Sequence, residues 1–237
     1  MKAIILAGGL GTRISEETMD KPKPMVVIAG KPILWHLMNI FASQGFNEFI
    51  IATGYKSHVI SDWVTTIQEP WDILPIDTGL DTQTGGRIRL CMEAVPGERV
   101  FATYGDGLGN VDLAKLVHFH EMNDLLGTIT AVRPPARFGV LESSNGLVTH
   151  FGEKNQTDSG WINGGFFVLE PEVSKLIHEP SEPFESGAIP RLVSKKELAA
   201  FHHEGFWQPM DTLREKQDLE RFAGQKTPPW LELGTVR

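Results

Sequence analysis

The chain has 237 residues, 41% of them hydrophobic, which is enough to form the core of one large domain. Its 30 acidic and 22 basic residues give a net charge of −8, which disfavours binding to nucleic acid or to an anionic membrane surface. A single cysteine, Cys91, excludes an internal disulfide and a thiolate metal site. No apolar run is long enough to span a membrane or to act as a signal peptide, so we expect a soluble, cytoplasmic protein.

The first half of the chain alternates predicted strands with predicted helices. The hydrophobic pattern predicts strands at 2–7, 47–55 and 98–107, and helices at 32–43, 57–67, 88–95 and 111–124. From about residue 70 to residue 87 the pattern weakens into turn residues. Such alternation is typical of an open parallel sheet with right-handed crossovers.

The second half adds strands that are not separated by long helices. Residues 138–142 and 147–151 flank Asn145-Gly146, a strong hairpin signal. Further strands are predicted at 128–135, 160–169 and 198–207, and helices at 184–197 and 211–224. We therefore expect a single α/β domain over residues 1–237, with a three-layer arrangement around a mixed, mostly parallel sheet that the hairpin strands help to complete.

A glycine-rich loop follows the first predicted strand, in the sequence LAGGLGTRISEETMDKPKPM at residues 6–25. It fails the dinucleotide fingerprint, because Ile14 stands where a third glycine is needed, and it lacks the GK[ST] ending of the triphosphate P-loop. Arg13, Lys21 and Lys23 supply cations, and prolines 22 and 24 are expected to keep their segment extended. A solvated surface segment is the alternative, but the combination favours polyphosphate binding.

Two aspartates are candidate magnesium ligands. Asp106 lies between glycines in TYGDG, at the end of a predicted strand, where open α/β sheets bind ligands. Asp211, in FWQPMDT, offers a second carboxylate, and Mg²⁺ commonly takes one or two protein carboxylates together with substrate phosphates. The alternatives are an Asp-Gly turn for Asp106 and a helix N-cap for Asp211.

Other polar segments give weaker signals. The loop at 77–87, with Gly85, Gly86 and Arg87, offers close backbone approach to a flat base, although an ordinary loop would look the same. The segments GEKN at 152–155 and INGG at 162–165 place polar groups at strand ends, where they suit sugar hydroxyls. The histidines are not spaced as a catalytic dyad or zinc site, and no G-x-S-x-G elbow occurs.

Taken together, the motifs resemble those of the sugar-nucleotide pyrophosphorylases, a family of nucleotidyltransferases, over nearly the whole chain. The resemblance is carried, in order, by LAGGLGTR, KPKPM, GKPILWH, DTG with TGGR, TYGDG, FG, EK, INGGFFV and FWQPMDT. KPKPM, TGGR and FWQPMDT favour the cytidylyl branch, whose glucose-1-phosphate enzymes make CDP-glucose.

The resemblance implies a role for each matching position. It implies nucleotide contacts from Leu6, Ala7, Gly8, Gly9, Gly11, Thr12, Arg13, Lys23, Thr78, Thr84, Gly85, Gly86 and Gly105. It implies sugar-phosphate contacts from Gly139, Glu153, Lys154, Asn163 and Gly164, and Mg²⁺ ligation by Asp106 and Asp211. The nucleotide would bind mainly to about residues 1–110 and the sugar phosphate to about 111–237.

In the implied Mg²⁺-dependent reaction, an oxygen of a sugar 1-phosphate attacks the α-phosphorus of CTP in line and diphosphate leaves, with Arg13, Lys23 and Asp106 as catalytic residues. With α-D-glucose 1-phosphate as acceptor the product is CDP-glucose. No partner nucleic acid or membrane is expected, and the family suggests a homo-oligomer. The sequence departs from the family pattern at two places. The segment between Trp63 and Asp77 is short, which bears on the contacts between subunits, and Asn155 replaces the proline of E-K-P, which keeps another phosphorylated acceptor open. A catalytically silent nucleotide-binding subunit is the third possibility, and a dehydrogenase is disfavoured by Ile14.

Overall fold

The computed structural model describes residues 1–135, 139–144, 147–153 and 160–233. Within them the strands are, in chain order, β1 (Ala3–Leu6), β2 (Val27–Ile28), β3 (Lys31–Pro32), β4 (Glu48–Thr53), β5 (Asp72–Asp77), β6 (Val100–Tyr104), β7 (Gly107–Gly109), β8 (Gly127–Val132), β9 (Gly139–Ser144), β10 (Leu147–Glu153), β11 (Ile162–Asn163), β12 (Phe167–Leu169), β13 (Leu198–His203) and β14 (Trp207–Pro209).

The α-helices are α1 (Ser15–Thr18), α2 (Ile33–Ala42), α3 (Ser57–Val64), α4 (Thr84–Glu93), α5 (Leu113–Asn123), α6 (Ala188–Lys195) and α7 (Leu213–Ala223). Short 3₁₀-helices cover Thr12–Ile14, Lys23–Met25, Pro171–Leu176 and Pro229–Leu231. No helix in these described ranges is long and apolar enough to cross a membrane.

One eight-stranded mixed sheet organises the molecule. Its strand order is β11-β8-β12-β6-β1-β4-β5, and β13 pairs with β8. The first half of the chain supplies the parallel pairs β1 with β4, β1 with β6 and β4 with β5. The second half supplies antiparallel β11 and β12 and the parallel strand β13. This confirms the predicted mixed, mostly parallel α/β sheet.

Helices cover both faces of this sheet because its central strands are apolar on both sides. In β1, Ala3 and Ile5 pack into the cluster that holds α2, α5 and α7, while Ile4 and Leu6 pack into the cluster that holds α4 and α6. All four side chains of β1 are buried, which explains the uninterrupted apolar run in the sequence. The result is the expected three-layer arrangement.

Two predictions for the first half are wrong. Residues 71–87 contain the strand β5 and the start of α4, where we predicted mainly turns. The segment around KPKP is extended at Pro22, but Lys23–Met25 then forms a buried 3₁₀ turn. Proline is compatible with the first turn of such a helix, because its missing N–H is not needed there.

The second half also differs in detail from the prediction. The pattern at 160–169 predicts one strand, but residues 164–166 separate β11 from β12, and Gly165 and Phe166 among them have positive φ angles. Strands β9 and β10 pair as the predicted hairpin, whose turn residues Asn145 and Gly146 lie outside the described residues. The hairpin forms its own two-stranded sheet and is not part of the eight-stranded sheet.

Candidate active site

A cleft opens at the carboxyl ends of β1 and β6, the two adjacent parallel strands at the centre of the sheet. This edge is where open α/β sheets bind their ligands, because the connections to the following helices diverge there. The cleft is lined by Leu6, Ala7, Gly8, Gly9, Leu10, Gly11, Thr12, Arg13, Lys23, Pro24, Leu80, Thr82, Gln83, Thr84, Arg87, Tyr104, Gly105, Asp106 and Asp211. Apart from Asp211, every described residue of this lining precedes residue 110.

The glycine loop forms one wall of the cleft. It leaves β1 at Leu6, and its first residues stay attached to the sheet, since Ala7 N–H donates to Ala52 and Tyr55 N–H donates to the Gly8 carbonyl. The loop then enters the 3₁₀ turn at Thr12–Ile14 and the short helix α1. Backbone N–H groups of such a loop are suited to binding phosphate oxygens.

Arg87 supports this loop from below. Its guanidinium, in a residue that is only 4% exposed, donates to the carbonyl oxygens of Gly8 (3.0 Å) and Thr53 (2.8 Å) and to the hydroxyl of Thr78. A Cβ at position 8 would lie 2.1 Å from Arg87 Nη1, so the close approach of loop and guanidinium requires glycine there. Burial lowers the pKa of Arg87, but a guanidinium remains protonated throughout the accessible pH range.

Lys23 joins the two candidate metal carboxylates. Its Nζ lies 2.6 Å from Asp106 Oδ2 and 2.7 Å from Asp211 Oδ1. Arg13 Nη1 lies 2.9 Å from the same Asp211 oxygen. Residues far apart in the sequence therefore form one compact cluster of two cations and two anions beside the glycine loop.

Electrostatics keep this cluster charged. Burial by itself would lower the pKa of Lys23, but the two carboxylates outweigh it and the pKa is raised. Burial by itself would raise the pKa of Asp211, but Lys23 and Arg13 outweigh it and the pKa is lowered. Both groups are thus ionised at neutral pH.

The backbone places the two aspartates side by side. Asp106 lies in the turn between β6 and β7, and β7 pairs with β14, whose last residue, Pro209, is opposite Gly107. The Met210 N–H donates to the Asp106 carbonyl at 2.8 Å, which fixes the two chain segments together. The alternative role of Asp211 as a helix N-cap is wrong, because Thr212 caps α7 in a capping box with Glu215.

The carboxylate pair suits a divalent cation that also takes oxygens from a substrate. In the part of the chain that the structure describes, no group of three or more His, Cys, Asp or Glu side chains could hold a metal. Asp106 and Asp211 both line the cleft, and two protein carboxylates are the partial coordination with which a cation such as Mg²⁺ binds substrate phosphates. An ammonium already bridges these oxygens, which shows that the position accommodates a cation.

Most of the predicted nucleotide contacts line the cleft, but three do not. Thr78 is buried, and its hydroxyl donates to the Thr53 carbonyl at 2.6 Å. Gly85 and Gly86 are buried in the first turn of α4, against the backbone of residues 180–184. The structure therefore gives these three residues packing roles behind the cleft.

The predicted sugar-phosphate residues are distributed around the neighbouring strand ends. Asn163 donates from Nδ2 to the hydroxyl of Tyr104 at 2.9 Å, so it touches a residue that lines the cleft. Gly164 packs against Val132, and its carbonyl accepts from Trp207 Nε1. Gly139 and Glu153 are paired at the open end of the β9–β10 hairpin, and Lys154 lies outside the described residues.

Sequence reasoning missed a second polar cluster at the cleft. The Tyr104 hydroxyl donates to Glu185, whose other carboxylate oxygen accepts from Thr84 Oγ1 at 2.7 Å. Burial, then the charge of Glu185, raises the pKa of Tyr104, so its hydroxyl stays protonated. Only the tyrosine within TYGDG could have indicated this cluster, because Glu185 belongs to a segment that resembles an ordinary helix start. Thr82 and Gln83 were likewise missed.

Comparisons with known proteins agree with this fold. Residues 2–237 match the family model described as "Nucleotidyl transferase". The chain is 44% identical over 253 aligned positions to a glucose-1-phosphate cytidylyltransferase of Salmonella typhi, covering 97% of this chain and 98% of that protein. It is 30% identical to a mannose-1-phosphate guanyltransferase of Candida glabrata, covering 99% of this chain and 69% of that protein.

A solved structure of a UDP-glucose pyrophosphorylase complexed with UDP-glucose shares the fold. Its TM-score is 0.74 at 16% identity, and the match covers 95% of this chain and 99% of that one. The family match over nearly all residues, together with the 44% identical relative, agrees with the resemblance carried by the motifs. The chain belongs to the nucleotidyl transferase family.

Proposed function

We propose that this enzyme transfers a cytidylyl group from CTP to α-D-glucose 1-phosphate, releasing diphosphate and CDP-glucose. The proposal rests on the cluster of Lys23, Asp106 and Asp211 beside the glycine loop. In it, Lys23 Nζ lies 2.6 Å from Asp106 Oδ2 and 2.7 Å from Asp211 Oδ1. The choice of CTP and glucose 1-phosphate is supported by the similarity to the Salmonella typhi cytidylyltransferase at 44% identity.

The reaction needs positioning and charge neutralisation rather than a covalent enzyme intermediate. An oxygen of the sugar phosphate forms a bond to the α-phosphorus of CTP, while the bond from that phosphorus to the bridging oxygen breaks and diphosphate leaves with the electron pair. Because the attacking phosphate is already ionised at neutral pH, no general base has to remove a proton. The described residues that line the cleft include no histidine, which fits this chemistry.

Each part of the cleft has a place in this scheme. Backbone N–H groups of Gly8, Gly9 and Gly11 bind the triphosphate, and Arg13 and Lys23 offset its charge. Asp106 and Asp211 would hold Mg²⁺, which would supply positive charge to offset that of the phosphate oxygens. The nucleotide binds mainly to residues before about 110, and the acceptor binds at the strand ends near Asn163.

The proposal is tested by measuring diphosphate release with four nucleoside triphosphates and a panel of phosphorylated acceptors. We expect release only with CTP and glucose 1-phosphate in the presence of Mg²⁺. Release with CTP and a different acceptor would support the alternative that Asn155 leaves open, since this residue replaces the proline of E-K-P and lies outside the described residues. Tight CTP binding without release from any acceptor would instead identify a silent regulatory subunit.

Asp106→Asn tests the metal role. We expect it to lower kcat by about 100-fold or more, because it removes a charge that holds the cation against the transferring phosphate. The matched control is Asp62→Asn on the exposed side of α3, which should leave both activity and fold unchanged. Near-normal turnover of folded Asp106→Asn would remove this residue from the reaction.

We also infer a homo-oligomer, on the basis of the family resemblance. Light scattering after size-exclusion chromatography measures the mass directly. A mass of one chain at working concentrations would contradict this inference.

A further inference from the structure

The ammonium of Lys23 occupies the position between the two proposed metal ligands. It contacts Asp106 Oδ2 at 2.6 Å and Asp211 Oδ1 at 2.7 Å. A divalent cation bound by the same oxygens would lie within about 2.0–2.6 Å of each of them. The cation and the ammonium would then be at contact distance from one another, where two like charges repel strongly. One of them has to leave before the other can bind.

The cluster is already neutral without a metal ion. Asp106 and Asp211 carry two negative charges, and Lys23 and Arg13 carry two positive ones at 2.6 to 2.9 Å. Two neighbouring carboxylates without counter-charges repel each other, so they bind a free cation readily. Here the chain supplies its own counter-charges, so a free divalent cation gains little by binding alone.

Lys23 can reach few alternative partners. Its side chain is 11% exposed, and its backbone is fixed in the 3₁₀ turn between Pro22 and Pro24. The open space available to the ammonium is the cleft itself, which Lys23 lines together with Gly9 and Gly11. A triphosphate in that cleft would supply several anionic oxygens to an ammonium that has left the carboxylates.

We propose that Lys23 acts as an internal substitute for the divalent cation. The metal then binds tightly only when the Lys23 ammonium leaves the two carboxylates and binds the nucleotide phosphates. This inference rests on the proposed function, since the phosphates are those of the nucleotide substrate. It makes metal binding and nucleotide binding mutually dependent, and Lys23 couples them.

The test measures Mn²⁺ binding to the full chain without nucleotide, by electron paramagnetic resonance of the free ion. We expect weak binding to the wild type and binding at least about tenfold tighter to Lys23→Met, because a close like charge is removed. Arg13→Met should give a smaller gain, since its side chain is 75% exposed and contacts only Asp211 among the described carboxylates. Lys21→Met, two residues away and outside the cleft lining, is the matched control and should bind Mn²⁺ like the wild type.

Adding Asp106→Asn to Lys23→Met tests whether the tighter Mn²⁺ binding occurs at the two aspartates. The gain should disappear in the double variant, and a gain that persists would overturn the proposal because the ion would be elsewhere. Lys23→Gln, which keeps a polar side chain of similar reach, gives the same test if Lys23→Met does not fold. Unchanged or weaker Mn²⁺ binding by a folded Lys23 variant would also overturn it.

Failure of this inference is distinguishable from failure of the proposed function. The Mn²⁺ titration contains no CTP and no acceptor, so it does not depend on turnover. If the wild type releases diphosphate but Lys23→Met binds Mn²⁺ no more tightly than the wild type, only the proposed exchange of the Lys23 ammonium for the metal is refuted. A Mn²⁺ gain in a chain that releases no diphosphate would refute only the proposed reaction.

Discussion

Arg87 places a positive charge beneath the glycine loop, and among the described residues the charge of Asp77 acts on it without a direct hydrogen bond. In the described part of the chain its hydrogen-bond partners are neutral oxygens, from Gly8, Thr53, Thr78 and Leu80. A buried charge with neutral partners is screened less than a surface charge, so its field extends into the cleft. This explains how a chain of net charge −8 can still present a positive cleft to an anionic nucleotide.

Substitution of Gly86 tests the packing role that the structure assigns to Gly85 and Gly86. Alanine is normally favoured over glycine within a helix by about 1 kcal/mol. Here a Cβ would lie 2.1 Å from the Pro180 carbonyl oxygen, and all three of its nearest neighbours are backbone atoms of Pro180. We therefore expect Gly86→Ala to reduce the free energy of unfolding by about 1–3 kcal/mol, as measured by denaturant titration.

Gly224→Ala, just after α7, is the control for this substitution. A Cβ at position 224 would lie 3.5 Å from its nearest neighbour, the Arg221 carbonyl oxygen, which is ordinary van der Waals contact. The φ angle there is −73°, which alanine adopts without strain, so the stability should be close to that of the wild type. If Gly86→Ala kept full stability but lost CTP binding, Gly86 would contact the base, as the family resemblance implies, and the packing role would be wrong.

The candidate site shows what can be predicted at the scale of single residues. The position of Asp106 at the cleft was predictable, because open α/β sheets bind their ligands beyond the carboxyl ends of their strands, although an Asp-Gly turn was an equal alternative for its role. The contact of Lys23 with Asp211 was not identifiable, because it joins residues 188 positions apart and depends on the pairing of β7 with β14. The packing of Gly86 also depends on a distant segment, at Pro180.

At the scale of elements, the cap of α5 gives a separate prediction. Asp112 is its N-cap, and a side-chain oxygen accepts from the Lys115 N–H at 3.0 Å. We expect Asp112→Ala to cost about 0.5–2 kcal/mol of unfolding free energy at pH 7, and Asp112→Asn to cost much less because the amide oxygen still caps. Equal stability of the alanine variant and the wild type would contradict the assigned cap.

The same cap has a defined pH dependence. Burial by itself would raise the pKa of Asp112, but hydrogen bonds from Lys115 outweigh it and the pKa is lowered below 3.8. A lowered folded-state pKa means that this stabilisation is present above about pH 4 and is lost as the pH falls through the folded-state value. Asp112→Asn should therefore lose less stability than the wild type on acidification below that pH.

Elements were predictable where their sequence pattern matched their burial. Strand β1 and helix α2 were recognised because their apolar residues are continuous or helically spaced and are buried. Strand β5 was missed because it lies at the sheet edge, half-exposed, and its sequence DILPID contains a proline and acidic ends. Those residues suit an edge strand, since they discourage pairing with another chain.

At the scale of the whole molecule, the C-terminal segment closes the core beside the first half of the chain. Trp230, in the 3₁₀-helix Pro229–Leu231, is 1% exposed, and its ring meets that of His36 on α2 at 5.5 Å between centroids. His36 in turn lies 2.8 Å, through Nε2, from the Ile28 carbonyl oxygen. Since a carbonyl can only accept, Nε2 carries the proton, and the buried ring forms this bond while neutral.

This arrangement predicts that the fold loses stability as the pH falls through the histidine range. Burial lowers the pKa of His36 below 6.5, although the Ile28 carbonyl opposes the shift. The unfolded chain therefore binds this proton more readily than the folded one, so the stabilisation is present above about pH 6.5 and is lost as the pH falls through the folded-state value. We expect the denaturant midpoint to fall between pH 7 and pH 5.

Replacing the histidine separates its contribution from general acid effects. His36→Gln can still donate to Ile28 but does not titrate, so its midpoint should fall less steeply over the same range than that of the wild type. His58→Gln, at an exposed position on α3, is the matched control and should keep the wild-type slope. If the denaturant midpoints of His36→Gln and the wild type fell equally with pH, His36 would protonate as easily in the folded chain as in the unfolded one. The coupling between α2 and the C-terminal segment would then be independent of pH.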